Sequence, residues 1–289
     1  MKLGTSPPFA SGILRAMAAR SPPVIAFVTD FGESDAYVAA MKGVALSRAP
    51  RARLVDVTHA IEPGDLLGAA LVLEEARPWF PAGTVFVVVV DPGVGTERRA
   101  LAGRAHGRSF VGPDNGVLWP ALGSDAKARV HSIVVPPPGC NGVSDTFHGR
   151  DVFAPAAAAL AAGARLDRLG PAVKDPIRLR GFDARRSHGA LEGQVLRVDR
   201  FGNLVTSITR SDLEATFAGV PFETLDVRVG GRLVDEVART YGEARRGPAF
   251  CLVGSGGRLE VAVRDGSAAA ALRLGRGAEV TVARRGGRR

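Results

Sequence analysis

The chain has 289 residues, of which 46% are hydrophobic and 23% are charged. This length is typical of two domains, and this composition excludes collagen-like, low-complexity and highly charged disordered chains. The two cysteines lie in no CxxC or Cys/His cluster, so the sequence predicts neither a disulfide framework nor a zinc site. A reducing, cytoplasmic location fits this cysteine usage best.

The net charge of +9 does not by itself indicate nucleic-acid binding. Only four of the 38 basic residues are lysine, and the arginines are scattered along the chain. The one dense basic cluster, at 284–289, is interleaved with glycine and lacks aromatic residues that could stack on bases. The most hydrophobic run, 85–90, is too short for a membrane span and ends at Asp91. We therefore expect neither a nucleic acid nor a membrane as partner.

Residues 1–23 lack a regular pattern and predict a disordered extension. From residue 24 onward, short apolar runs alternate with helical patterns. Strands are predicted at 24–28, 54–57, 84–90, 109–111 and 133–135, and helices at 35–48, 66–76 and 151–162. Fully apolar strands that alternate with helices are typical of a largely parallel sheet. The sequence therefore predicts an α/β N-terminal domain over residues 24–176.

The pattern changes after Gly170. Prolines and arginines without periodicity predict a linker over residues 177–191. Beyond the linker, strands predicted at 193–198, 226–229, 259–263 and 279–282 alternate with glycine turns. This pattern predicts a smaller all-β barrel C-terminal domain over residues 192–285.

Two of the apolar strands run directly into an aspartate. Asp30 follows the first strand and Asp91 follows the third. Ligands of open parallel sheets bind beyond the carboxyl ends of the strands, and a charged side chain there costs free energy unless it is paired. Both residues are therefore candidate site residues, and the alternative for each is an aspartate that caps a helix or stabilises a turn.

Two further loops of the first half carry candidate residues. The loop that starts at Asp91 is glycine-rich, but it matches neither GxGxxG nor GxxxxGK[ST], so a triphosphate nucleotide is not expected. Arg98 follows this loop. The long loop 136–150 ends near His148, and a histidine at this edge could orient or accept a proton. A purely structural histidine is the alternative.

The second half presents Asp199, Phe201 and Asn203 in one turn. Together they could hold an amine, stack on a flat base and bind a carboxylate, and the alternative is a plain β-turn. The turn that begins at Ser255 could bring a ligand close to bare backbone N–H groups.

Seven segments, in order along nearly the whole chain, resemble the S-adenosylmethionine hydroxide adenosyltransferases, a family related to the fluorinating and chlorinating enzymes. The segments are TDFG (29–32), DVTH (56–59), VDPGVGTER (90–98), GPDNG (112–116), FHGRDVFAP (147–155), DRFGN (199–203) and GSGGRLE (254–260). Each segment is a weak signal alone, but seven in register are specific.

The resemblance implies a fold, an assembly and a reaction. The expected fold is an α/β domain followed by a β-barrel, and the expected assembly is a homotrimer with active sites at the subunit interfaces. Water or hydroxide would attack S-adenosyl-L-methionine at the ribose C5′ and give adenosine and L-methionine, with no metal and no cofactor. The catalytic set of the hydrolytic branch falls on Asp91, Arg98 and His148, with either Asp91 or His148 as the base.

The resemblance also implies a substrate-binding set, which comprises Asp30, Phe31, Asp199, Phe201, Asn203, Ser255, Glu260 and Val263. Asp30 would bind the ribose diol, and Phe201 would stack on adenine. Asp199 and Asn203 would hold the methionine amine and carboxylate, with help from Ser255.

Two alternative functions remain. One is a SAM-dependent halogenase of the chlorinase type, but the halogenating branch carries a tyrosine where Asp91 stands. The other is a non-catalytic protein that binds nucleosides.

Overall fold

A computed structural model of the chain describes residues 21–137, 139–140 and 142–286. The extension predicted over residues 1–23 lies outside the described residues, apart from its last three. The chain forms two compact units. Among the described residues, the first contains 21–64 together with Pro78–Asp114 and Ala121–Pro176, and the second contains Asp65–Arg77, Asn115–Pro120 and 177–286.

The elements of the two units follow in chain order. The strands of the first unit are β1 (Val24–Thr29), β2 (Arg53–Thr58), β3 (Val85–Val89), β4 (Ala100–Ala105), β5 (Arg108–Pro113) and β6 (Arg129–Ser132). Those of the second are β7 (Arg185–Ser187), β8 (Ala190–Val198), β9 (Leu204–Thr209), β10 (Leu225–Val229), β11 (Arg232–Val234), β12 (Glu236–Val237), β13 (Ala249–Val253), β14 (Arg258–Val263) and β15 (Glu279–Arg284). The α-helices are α1 (Tyr37–Arg48), α2 (Leu66–Ala76), α3 (Trp119–Gly123), α4 (Ala154–Ala161), α5 (Arg210–Thr216) and α6 (Ala268–Leu272). Within the described residues, no helix is long and apolar enough to cross a membrane.

The first unit is built on a six-stranded sheet with the order β2-β1-β3-β5-β4-β6. β1 is parallel to both β2 and β3, and β3 is parallel to β5, whereas β4 runs antiparallel to β5 and β6. Every residue of β3 is buried, which explains its unbroken run of valine and phenylalanine. The predicted α/β domain with a mostly parallel sheet is thus confirmed in outline.

Helices α1 and α4 pack against this sheet. Met41 and Ala45 of α1 share one hydrophobic core with Ala157 of α4 and with Phe27 and Val87 of the sheet. The buried positions of α1 recur at helical spacing and so form a single apolar face. A π-helical turn, Gly149–Phe153, directly precedes α4, so the regular helix starts later than the predicted range 151–162.

The strand predicted at 133–135 is wrong. The strand in this region is β6, which ends at Ser132. The Ile133 N–H still bonds to the sheet at the Ala100 carbonyl, but the Val134 N–H bonds instead to the Leu169 carbonyl. The valines at 134 and 135 are 52% and 47% exposed, so the apolar run continues beyond the sheet without being part of it.

The second unit is a nearly closed, barrel-like sheet with the order β11-β10-β15-β8-β9-β14-β13-β12, and β7 pairs with β8. All pairs are antiparallel except β12 with β13. Inward-facing residues such as Leu191, Val227 and Val282 form its core. The predicted barrel domain is confirmed in outline, and it also contains the short helices α5 and α6.

The segment predicted as a linker, 177–191, is instead part of the second unit. It contains β7 and the first residues of β8. Phe182, which is 1% exposed, packs with Leu196 and with Ala70 and Leu71 of α2. A single aromatic residue among polar neighbours thus anchors the segment, and α2 belongs to the second unit although the sequence placed it in the first domain.

A buried arginine joins α2 to the barrel. Arg258 of β14 is 2% exposed, and its Nε donates to Glu74 Oε2 at 3.0 Å. Its Nη1 donates to the Ser207 carbonyl at 3.0 Å, and its guanidinium lies 4.5 Å from the centroid of the Phe182 ring. Each of the three guanidinium nitrogens of the arginine in the GSGGRLE motif therefore has a partner within the unit.

Candidate active site

The ends of β1 and β3 place two carboxylates at one edge of the first sheet. The two strands are parallel neighbours, with Thr29 level with Val89. Asp30 directly follows β1, and Asp91 follows β3 by two residues. Both line one pocket of about 480 Å³, and all residues that line it belong to the first unit. The structure thus brings together two side chains that the sequence indicated separately.

The loop after β3 turns back and returns Arg98 to Asp91. The Thr96 hydroxyl donates to a carbonyl of the turn at 2.7 Å and accepts from the Arg98 N–H at 3.3 Å. Gly95 has a φ of +80°, and a Cβ there would lie 2.6 Å from the Asp145 carbonyl oxygen. The glycine-rich run therefore serves a tight turn that carries an arginine.

Arg98 joins Asp91 to His148. Its Nε donates to Asp91 Oδ1 at 2.8 Å, and its Nη2 donates both to Asp91 Oδ2 and, at 2.8 Å, to His148 Nδ1. The Phe153 ring covers the guanidinium, with 5.4 Å between Cζ and the ring centroid. The side chains of Asp91 and Arg98 are only 5% and 10% exposed, and His148 is buried too. The bidentate contact compensates the charges that burial would otherwise penalise.

Arg98 also determines the protonation state of His148. A guanidinium has only donors, so His148 Nδ1 must accept, and the neutral imidazole then carries its proton on Nε2. Burial and the positive charge of Arg98 lower the pKa of His148, although the Asp91 charge partly opposes them. His148 is therefore a neutral side chain that can donate a hydrogen bond from Nε2.

The remainder of the pocket is mostly apolar and includes two aromatic residues. Asp30 Oδ2 accepts from the Gly64 N–H at 2.9 Å. Phe31 and Phe147 line the pocket and form a cluster with Tyr37, with ring centroids 5.2 to 6.0 Å apart. Phe147 is not among the site residues predicted from the sequence, although an aromatic residue directly before a candidate histidine is a signal for one.

Asp199, Phe201 and Asn203 lie in the second unit, in the turn between β8 and β9. Asp199 Oδ1 accepts from the backbone N–H groups of Phe201 and Asn203 at 2.8 and 2.9 Å, and Oδ2 accepts from Asn203 Nδ2 at 2.9 Å. The carboxylate therefore stabilises the turn itself. Asn203 is buried, whereas the Phe201 side chain is 77% exposed and open to a flat ligand.

Ser255, Glu260 and Val263 lie on the hairpin of β13 and β14. Ser255 is exposed in the turn, and Glu260 Oε2 accepts from the Tyr241 hydroxyl at 2.7 Å. Burial raises the pKa of Glu260, opposed by the Tyr241 hydrogen bond and reinforced by the Asp199 charge. The Val263 side chain is partly buried and packs against the barrel core.

The predicted site residues thus form two sets, one in each unit. Those of the first unit are Asp30, Phe31, Asp91, Arg98 and His148, and those of the second are Asp199, Phe201, Asn203, Ser255, Glu260 and Val263. Among the described residues, no group of three or more His, Cys, Asp or Glu side chains is arranged to hold a metal ion.

The family of the chain follows from both units. Residues 25–170 match the model of the SAM hydroxide adenosyltransferase N-terminal domain, and residues 193–281 match that of the C-terminal domain. The chain therefore belongs to the SAM hydroxide adenosyltransferase family, and the resemblance of its motifs is confirmed.

Individual relatives point in the same direction. The chain is 45% identical over 264 residues to a protein named (R)-S-adenosyl-L-methionine hydrolase from Thermus thermophilus. The aligned region covers 88% of this chain and 97% of the relative. It is 31% identical over 239 residues to a fluorinase from an Actinoplanes species, which covers 72% of this chain and 78% of the relative. The solved structure of an uncharacterized conserved protein from Thermotoga maritima matches with a TM-score of 0.81 and 36% identity, over 90% of this chain and 100% of that one.

Replacing His148 with glutamine tests its burial as a neutral group. Because its pKa is lowered in the folded protein, the unfolded chain takes up a proton at a higher pH than the folded chain does. His148 therefore reduces the free energy of unfolding as the pH falls below the ordinary histidine value of about 6.5. We expect the free energy of unfolding, from urea denaturation, to fall more steeply below about pH 6.5 in the parent than in His148→Gln.

His188→Gln is the matched control, because it makes the same substitution at an exposed histidine. Identical slopes for the parent and His148→Gln would contradict the burial of a neutral His148.

Proposed function

We propose that this chain is an S-adenosyl-L-methionine hydrolase that forms adenosine and L-methionine. The observation that carries the proposal is the buried contact of Arg98 with both Asp91 and His148, beside a pocket at the carboxyl edge of the sheet. Membership of the family supports this activity, as does the greater similarity to a hydrolase than to a fluorinase.

The reaction requires an aligned water and a proton acceptor. The sulfonium of the substrate makes the ribose C5′ electrophilic. A lone pair of the water oxygen forms the O–C5′ bond while the C5′–S bond breaks, and the electron pair of that bond stays on sulfur. Methionine therefore leaves as a neutral thioether that needs no acid, and one proton of the water must be taken up by the protein.

We assign proton acceptance to Asp91. His148 Nδ1 is occupied by Arg98 and its Nε2 carries a proton, so His148 could act as a base only by losing the Arg98 contact. Each carboxylate oxygen of Asp91 has a second lone pair besides the one that accepts from Arg98. In this assignment, His148 orients the water by donating from Nε2, and Arg98 holds both side chains in place.

Substrate binding is divided between the two sets of residues. Asp30 would accept hydrogen bonds from the ribose diol, with Phe31 beside it in the same pocket. The exposed ring of Phe201 would stack on adenine. Asp199 and Asn203 would hold the amine and the carboxylate of methionine. Asp199 Oδ2 keeps one lone pair besides the one that accepts from Asn203 Nδ2, whereas Oδ1 already accepts two N–H groups of the turn.

The remaining members of the second set would act around this turn. Ser255 would assist at the carboxylate of methionine, Glu260 would add acceptor oxygens next to Asp199, and Val263 would contribute backbone groups. The reaction as written needs neither a metal nor a cofactor.

The proposed assembly is a cytoplasmic homotrimer in which each active site combines the first unit of one subunit with the second unit of its neighbour. The division of the site residues between two separate units supports this assembly, as does the resemblance to the family. Neither a nucleic acid nor a membrane is required as partner.

A halogenase is the main alternative. The Asp91 carboxylate lines the pocket and would repel a halide, whereas a halide site needs small hydroxyl and apolar groups. A protein that only binds nucleosides would leave the substrate intact, so a turnover assay distinguishes all three functions.

The first experiment is a product assay on purified protein with S-adenosyl-L-methionine, by chromatography with mass detection. We expect adenosine and methionine in equal amounts, both in chloride-free buffer and with chloride. Asp91→Asn should lower kcat by about 1,000-fold because it removes the proton acceptor. Asp167→Asn is the matched control, because it alters an exposed Asp–Arg pair in the same unit and should keep full activity.

A halogenated nucleoside that requires chloride would establish the halogenase instead. Unchanged substrate with the parent protein would reject catalysis, and full activity in Asp91→Asn would reject its assigned role.

A complementation experiment tests the shared active site. Asp91→Asn and Asn203→Ala should each be inactive alone, because each damages one half of every site. If the halves come from different subunits, co-expression in equal amounts should restore about a quarter of the sites. A restored site needs its first unit from Asn203→Ala and its second unit from Asp91→Asn, and each condition is met in about half of the cases. No recovery in mixed trimers would show that both halves belong to one chain.

A further inference from the structure

The DVTH motif at 56–59 plays no part in the proposed reaction, yet its histidine is buried next to the strand that leads to Asp30. We propose that His59 is a positioning residue for ribose recognition: it holds the end of β1 so that the Asp30 carboxylate lies correctly for the ribose diol. This inference rests on the proposed function, in which Asp30 binds that diol.

His59 and Thr29 form a buried hydrogen bond between the ends of two strands. His59 Nδ1 lies 2.8 Å from Thr29 Oγ1. Thr29 is fully buried and His59 is only 4% exposed, so water cannot readily replace either partner. The same Thr29 hydroxyl accepts from the Phe31 N–H at 3.3 Å. The Thr29 hydroxyl, which His59 holds, thus links Thr29 to Phe31, and Asp30 is the residue between them.

The second nitrogen of His59 faces a carboxylate. Nε2 lies 2.9 Å from Asp56 Oδ1, at an angle too bent for a regular hydrogen bond. Asp56 Oδ2 accepts from Lys42 Nζ at 2.6 Å. Burial raises the pKa of Asp56, but Lys42 and His59 outweigh burial and lower it overall. The ionised Asp56 can only accept, so His59 Nε2 carries a proton, and Nδ1 is the ring nitrogen that shares the hydrogen bond with the Thr29 hydroxyl.

His59 reinforces the end of β1 on the side of β2. The register of β1 against β2 shifts between Phe27 and Val28, so the regular ladder is interrupted just before the strand ends. After the strand, the Gly32 N–H donates to the His59 carbonyl at 2.8 Å. His59 therefore holds the chain on both sides of Asp30, through its side chain before that residue and through its carbonyl after it.

A positioning role predicts a selective effect. If His59 acts through Asp30, its loss should weaken only the contacts that Asp30 makes, which are those with the 2′- and 3′-hydroxyls of the ribose. A histidine that merely stabilises the fold would instead affect every ligand to the same extent.

Two replacements test the contributions of the two ring nitrogens of His59 one at a time. The amide of His59→Asn reaches the position of Nδ1 and keeps a partner for Thr29, whereas the amide of His59→Gln reaches the position of Nε2 and does not. Thr29→Val removes the hydroxyl at nearly constant volume, which provides a second test if His59→Gln fails to fold. His131→Gln is the matched control, because that ring bonds the Gly170 carbonyl and does not line the pocket.

The measurement is the affinity of each protein for adenosine and for 2′,3′-dideoxyadenosine, by isothermal titration calorimetry. In His59→Gln and Thr29→Val we expect adenosine to bind about fivefold more weakly, with unchanged affinity for the dideoxynucleoside. The KM for S-adenosyl-L-methionine should rise by a similar factor while kcat stays nearly constant. His59→Asn should keep most of the preference for adenosine, and His131→Gln should keep all of it.

Equal loss of affinity for both nucleosides would overturn the inference, and so would an unchanged preference in both His59→Gln and Thr29→Val.

The Asp30→Asn variant distinguishes a failure of this inference from a failure of the proposed function. If Asp30→Asn loses the preference while His59→Gln and Thr29→Val keep it, the role of His59 is wrong and the proposed function stands. If Asp30→Asn keeps the preference in a protein that hydrolyses the substrate, the ribose role of Asp30 and this inference are both wrong. A parent protein that neither binds adenosine nor turns over substrate would reject the proposed function as well.

Discussion

The structure of the site depends on how one carboxylate is compensated at the end of a fully buried strand. Asp91 follows the apolar strand β3 and its side chain is only 5% exposed, so its charge would be costly without a partner. Arg98 compensates that charge with two hydrogen bonds, and the same guanidinium group fixes the acceptor nitrogen of His148. The tight turn at Gly95 follows from this requirement, because the arginine must return to the residue where the loop began.

The resulting charge distribution suits a cationic substrate. The Asp91–Arg98 pair is neutral as a whole, His148 is held neutral by burial and by Arg98, and Asp30 adds one negative charge at the same pocket. This net negative charge would attract a sulfonium and repel a halide anion. The same arrangement therefore favours S-adenosyl-L-methionine as substrate and water as nucleophile, since water, unlike a halide, is not repelled by a carboxylate.

Much of the fold and part of the site could be predicted from the sequence, for reasons that particular residues illustrate. Strand β3 is evident from its unbroken β-branched run, and the parallel arrangement then places Asp30 and Asp91 at one edge. What the sequence does not show is which partner each polar side chain selects. The bond between Thr29 and His59 joins residues 30 positions apart, and the proton of His148 is placed by an arginine 50 positions away. Prolines and arginines without periodicity predict a linker over residues 177–191, and the single buried aromatic residue there, Phe182, adds too little periodicity to indicate a packed segment.

The direct attack of water on C5′, in which Asp91 is not itself the nucleophile, is tested most directly by a single turnover in water labelled with oxygen-18, with enzyme in excess over S-adenosyl-L-methionine. If water attacks C5′ directly, the 5′-hydroxyl of the adenosine formed should carry the label, and Asp91 should remain unlabelled in the digested protein. If Asp91 were instead the nucleophile, the ester that it forms would be hydrolysed at its carbonyl carbon. The first adenosine would then be unlabelled and the label would appear in Asp91, which would contradict the account.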